Sequence, residues 1–106
     1  MSFRNLSVVD ADARARAGTV TLVDVRPPAE RGLASVAAEF SALENGGLER
    51  LLALSKDAPL AFLCHRGGRS AQAAMYFVQQ GFTDVYNVVG GIDAWSLQVD
   101  PAIARY

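Results

Sequence analysis

The chain has 106 residues, 51% of them apolar and 20% charged, with a formal net charge of −1. That size predicts one domain over residues 1–106, with a real hydrophobic core and little stability to spare. The near-neutral balance excludes a basic field for nucleic acid and a polybasic membrane patch, and no apolar run approaches the roughly 20 residues that span a bilayer.

In chain order, residues 6–9 read as a short strand, and Asp10 is placed to cap a helix that runs to about Ala17 and stops at Gly18. Residues 21–25, Thr-Leu-Val-Asp-Val, form a β-branched apolar run that Pro27-Pro28 close. Residues 33–40 are ambiguous, with room for one short strand. Leu48, Leu51 and Leu52 stand at i, i+3 and i+4 after the break Asn45-Gly46-Gly47, a small helix face. Residues 60–63 are a continuous apolar run entering Cys64. The spacing then predicts a loop over 65–68 and a helix over 69–80, with Ala71, Ala74, Met75 and Val78 on one face and Gly81 at its end. A strand over 85–89, a Gly90-Gly91 turn and a short helix over 92–97 carrying Trp95 complete the pattern. Strands that alternate with helices and are apolar on both faces imply an α/β fold with a covered parallel sheet.

The chemistry concentrates in Leu63-Cys64-His65-Arg66-Gly67-Gly68-Arg69-Ser70. A cysteine ends a buried strand, a glycine-rich loop follows, and a helix begins. Ligands of open α/β sheets bind just outside the carboxyl ends of the strands. Loop amides and the unpaired donors of the helix N-terminus can converge there as an anion site. Gly67 and Gly68 would allow the positive φ such a curl needs. A sulfur inside it, near Arg66 and Arg69, is expected as a thiolate with its pKa below the free value of about 8.5. The blander reading is that a lone cysteine ending an apolar strand is a small core residue; the glycines, the arginines and Ser70 weigh against that. One cysteine cannot make an internal disulfide, a CxxC pair or a thiolate zinc site, so no metal is expected, and a lone thiol suits a reducing cytoplasm. The first residues, Met1 to Leu6, lack the apolar stretch and cleavage site of a secretion signal.

Cys64-His65-Arg66-Gly67-Gly68-Arg69-Ser70 resembles the active-site loop of the rhodanese family of sulfurtransferases. Val23-Asp24-Val25-Arg26 with Glu30 resembles the family's aspartate–valine–arginine signature and trailing glutamate. The run from Phe82 to Trp95, with its Gly90-Gly91 pair, resembles the closing signature, and the tail from Asp100-Pro101 to Tyr106 looks like the ends of rhodanese domains attached to adenylating enzymes or glutaredoxins. The resemblance implies a rhodanese-like α/β fold with five mostly parallel strands and helices on both faces. It implies a cycle in which Cys64 takes sulfane sulfur from a donor such as thiosulfate, becomes a persulfide and passes the sulfur to a thiol, cyanide or protein acceptor, without a cofactor. His65, Arg66, Gly67, Gly68, Arg69 and Ser70 would form the substrate loop, with Asp24 and Arg26 as structural supports. The departure is Ala34-Ser35-Val36-Ala37-Ala38-Glu39, where most relatives carry glycine–histidine–isoleucine–proline–glycine–alanine; the pocket rim should differ there.

Several roles have plainer versions. His65 is adjacent to Cys64, a poor position for mutual proton transfer, so tuning or donor binding suits it better than general base. Arg66 is either a recruiter of anionic donor or a solvated loop charge. Arg69 opposes the helix dipole at its position, which calls for an anionic neighbour. Two rival functions remain. A cysteine phosphatase or arsenate reductase also curls a loop around a thiolate beside an arginine, but with five residues between them where this chain has four. A non-catalytic binding or regulatory module would keep the fold while tending to lose the nucleophile.

Overall fold

A computed structural model describes residues 2–106. Strand β1 (Arg4–Leu6) leads into helix α1 (Val8–Ala17), followed by β2 (Thr21–Asp24), α2 (Pro28–Leu33) and α3 (Gly47–Leu52). Then come β3 (Leu60–Leu63), α4 (Gly68–Gln79), β4 (Val85–Val88) and α5 (Gly91–Gln98). The four strands form one parallel sheet in the order β1-β4-β3-β2.

The alternation of side chains along the strands splits the core in two. Leu22, Ala61, Leu63, Tyr86 and Val88 face α1 and α5, whose Val8, Ala11, Ile92 and Trp95 join them. Val23, Leu60, Phe62 and Val85 face α3 and α4, meeting Leu51, Ala74, Phe77 and Val78. Phe77 packs on Phe62 and Phe82 with ring centroids 4.9 and 5.3 Å apart. A sheet buried on both sides needs strands without a polar face, which is why β3 is buried at every residue.

Apart from shifts of one residue at several element ends, three features differ from the sequence reading. The cap of α1 is Ser7, whose hydroxyl accepts from the Asp10 amide at 3.1 Å. Asp10 therefore lies in the first turn, and the preceding strand is shifted to Arg4–Leu6. Pro28 opens α2, a helix not anticipated, because proline's fixed φ suits a first turn as well as it ends a strand. The fifth strand is reduced to a single parallel bridge: Ser41 pairs with Val23, donating to Leu22 O at 2.8 Å and accepting from Asp24 N at 2.9 Å. Residues 33–39 still alternate as a strand would, with Ala34, Val36 and Ala38 buried between exposed neighbours. Their inward side chains pack into the α1–α5 core, so the backbone runs without a ladder.

Candidate active site

β3 delivers Cys64 to the carboxyl end of the sheet, where its side chain is 1% exposed. The chain then turns through His65 and Arg66, and Gly67 stands before the first residue of α4 with φ 113°, a conformation that side-chain-bearing residues rarely adopt. Gly68 does not share it: its φ is not positive, and a Cβ there would meet open space. Only one of the two loop glycines is therefore required by the curl.

The curl closes on sulfur. The Gly67 amide donates to Cys64 Sγ at 3.1 Å, and Ser70 Oγ lies 3.2 Å from the same atom. Burial by itself pushes the thiol up. The Ser70 hydroxyl and the amides of Ser70, Gly67 and Arg66 outweigh it, and the net displacement is downward. The donors are neutral and mostly backbone, so they hold one anionic atom without bringing a counter-charge into contact.

Two elements hold the loop from behind. The first amides of α5 donate to the loop carbonyls, Ile92 N to Cys64 O at 2.9 Å and Asp93 N to His65 O at 3.1 Å. This contact explains Gly91, since a Cβ there would lie 2.5 Å from both carbonyl oxygens. Asn87, buried in β4, accepts from Ser70 Oγ at 2.6 Å and donates to Gly67 O at 3.3 Å. Asn87 was not among the residues expected in the site, although a polar residue inside Val85–Val88 was a usable signal.

Around this cradle runs a second, charged layer. Asp24 and Arg26 are fully buried and pair through two bonds, Nε to Oδ1 at 3.0 Å and Nη2 to Oδ2 at 2.7 Å. Arg26 Nη1 also donates to Tyr106 Oη at 3.1 Å, and that hydroxyl donates to Glu30 Oε1 at 2.7 Å. Glu30 takes both arms of Arg69, at 2.6 and 2.8 Å. The Arg69 fork and the Tyr106 hydroxyl together hold the Glu30 carboxyl down at about 2. Arg69 thus has the anionic neighbour that its position called for. The Tyr106 ring stacks on His65 at 4.0 Å between centroids and 9° between planes. Beneath it, His65 Nε2 is buried with no hydrogen-bond partner among the described residues. The Arg66 side chain is exposed and makes no hydrogen bond or ion pair among the described residues.

The residues picked out from the sequence therefore gather at one end of β2 and β3, in two shells. Cys64, Gly67 and Ser70 touch through the sulfur; Asp24, Arg26, Glu30 and Arg69 form the outer chain, with Tyr106 as its unanticipated link. Clefts of about 500 and 300 Å³ also exist, sharing Thr21, Phe40 and Ser41 at the opposite end of β2. Each has a single charged lining residue, Arg50 or Glu39, and no cysteine or histidine, unlike the Cys64 end.

Comparison with known proteins agrees with this fold. The profile of the Rhodanese-like domain matches residues 7–98. A thiosulfate sulfurtransferase GlpE of Pseudomonas paraeruginosa is 36% identical over 74 residues, 70% of this chain and 67% of that protein. Among solved structures, a rhodanese-related protein from Thermoplasma volcanium superposes with TM-score 0.73 at 28% identity, over 98% of this chain and 100% of that one. The polysulfide-sulfur transferase homodimer of Wolinella succinogenes gives 0.75 at 30% identity, over 91% of this chain and 74% of that one. With a profile match across most of its length and the cysteine loop, glycine pair and buried aspartate–arginine pair in their family order, the chain belongs to the rhodanese-like domain family.

Proposed function

We propose that the protein is a sulfurtransferase or persulfide carrier working through Cys64. The thiolate attacks the sulfane sulfur of a donor such as thiosulfate; the donor's S–S bond breaks with its electron pair leaving on sulfite, and Cys64 becomes a persulfide anion. A thiophilic acceptor (a thiol, cyanide or a protein nucleophile) then attacks the terminal sulfur and restores the thiolate. No net proton or electron is gained or lost by the protein. The sulfurtransferase names of the relatives support this class of reaction.

The observation that carries the reading is the size and polarity of the ring. Donors converge on a single atom position, with Gly67 N and Ser70 Oγ just over 3 Å from sulfur. An added sulfur atom needs little room, whereas a phosphoryl group must seat three oxygens, each with its own donors. Arg69 is also held by Glu30 rather than turned free toward a phosphate. Arg66, exposed at the mouth and uncommitted, is the charge that draws an anionic donor. The test is the intact mass of the protein after thiosulfate. An increase of one sulfur atom, lost on adding cyanide or a thiol, is expected, together with negligible hydrolysis of aryl phosphates. Aryl phosphate turnover without a sulfur adduct would assign the phosphatase reading, and neither activity would leave the binding-module reading.

A further inference from the structure

We propose that Asn87 is a positioning residue that governs Cys64 through the single hydrogen of the Ser70 hydroxyl; this rests on the thiolate reading above. Ser70 Oγ stands between two acceptors, Asn87 Oδ1 at 2.6 Å and Cys64 Sγ at 3.2 Å. A hydroxyl carries one hydrogen and cannot donate to both. The orientation of the Asn87 amide follows from its other bond: Nδ2 donates to Gly67 O, so Oδ1 faces Ser70.

The consequence depends on the state of the sulfur. With a neutral thiol, S–H donates to Ser70 Oγ and Ser70 O–H donates to Asn87, and every group is satisfied. When the thiol loses its proton to solvent, sulfur can only accept, and it must compete with Asn87 for the Ser70 hydrogen. Once Cys64 carries a persulfide, the charge moves to the terminal sulfur and the hydrogen can return to Asn87. Asn87 thus provides a resting place for the hydrogen in the two states that do not need it at Sγ. It also holds Gly67, whose amide is the other contact to sulfur. Among the described residues no charged side chain hydrogen-bonds to the Asn87 side chain: its hydrogen-bond partners are Ser70 and Gly67, and its strand neighbours in register are Phe62 and Asn5. The charged groups nearest along the chain network, Arg69 and Glu30, are bound to each other.

Two variants should move Cys64 in opposite directions. Asn87→Leu removes the competing acceptor and leaves the Ser70 hydrogen to the thiolate, lowering the titration midpoint by about half to one pH unit. Asn87→Asp replaces the amide by a stronger, anionic acceptor of the same shape and should raise the midpoint by a similar amount. The measurement is the rate of iodoacetamide alkylation against pH, on both variants and on each combined with Ser70→Ala, with thermal melts to confirm folding. Because Asn87 reaches the sulfur mainly through Ser70, the downward Leu shift should be lost in the Ser70→Ala background, leaving only the effect of the broken Nδ2–Gly67 O bond, and the Asp shift should shrink. Should Asn87→Leu not fold, the isosteric Asp variant still carries the test. Midpoints that stay at the wild-type value, that move in the same direction for both variants, or that shift equally without Ser70 overturn the role of Asn87. A wild-type midpoint at or above that of free cysteine instead overturns the thiolate reading, so the two failures are told apart.

Discussion

The two layers around Cys64 are built on opposite principles. The inner one, Cys64 to Ser70, is local in sequence and nearly free of charge at the point of contact: an amide and a hydroxyl meet the sulfur. The outer one joins residues from Asp24 to Tyr106 and is made of charges that satisfy one another, Asp24 with Arg26 and Glu30 with Arg69. The inner layer can therefore stabilise an anion that comes and goes, since its donor atoms are held in place and only the Ser70 hydroxyl hydrogen has to turn. The outer layer has already spent its charges on itself. It fixes position, and it leaves the exposed Arg66 side chain without an ion-pair partner among the described residues.

Breaking the inner layer at its centre should have the largest effect. Cys64→Ser should abolish both the sulfur adduct and turnover, because the hydroxyl cannot carry a sulfane sulfur, while the melting temperature stays near wild type. Residual turnover in this variant would remove Cys64 from the mechanism. Cutting the buried end of the outer layer should act on stability instead. Arg26→Ala leaves the Asp24 carboxylate buried without its partner and should cost about 3–5 kcal/mol in denaturant unfolding. A loss under about 1 kcal/mol would mean that water reaches Asp24 and that the pair is not structural.

Gly91→Ala tests how tightly the two layers must register. Its Cβ would lie 2.5 Å from the Cys64 and His65 carbonyl oxygens, so the loop or α5 must move. A displacement of this order should lower kcat/KM by about 100-fold, with circular dichroism unchanged; full activity would show that the loop is not held by α5. The smallest effects belong to the exposed charges. Arg66→Ala should raise the KM for thiosulfate about two- to fivefold with kcat unchanged, and the difference should shrink at high salt. For the Glu30–Arg69 pair the sign is set by a depressed carboxyl. Its contribution is fully present above the ordinary value of 4.5 and is lost as pH falls from there through about 2. Arg69 is 45% exposed, so solvent screens the pair, and Glu30→Gln should change stability at neutral pH by less than about 1 kcal/mol. A wild-type stability curve and a Glu30→Gln curve that remain parallel below pH 4.5 would show that the pair is not the source of the acid sensitivity.

Much of the inner layer was legible because its members are neighbours in the chain. A cysteine after an apolar strand, a glycine that can take positive φ and a helix start compose an anion cradle whatever surrounds them. Even there, Gly68 was read as a second conformational necessity and proves to be none. The outer layer was legible only in pieces. Asp24, Arg26 and Glu30 drew notice as a motif, and Arg69 called for an anion through its place at a helix start. Which anion it was, and that Tyr106 links Glu30 to Arg26 across some 76 to 80 residues of chain, could not be read from spacing.

The sequence by itself determined the alternation of strands and helices, the burial of the sheet on both faces and the place of the cysteine at the end of β3. These follow from periodicity and from backbone chemistry that acts over a few residues. Only the tertiary structure decided the rest. It replaced a fifth strand by the single bridge at Ser41, because the alanines and valine of residues 34–38 find their contacts in the core below them. It seated the amides of α5 against the carbonyls of the cysteine loop, and it set Asn87 beneath Ser70. Each of these is a contact between segments distant in the chain, chosen by which surfaces remain to be covered once the local elements have formed.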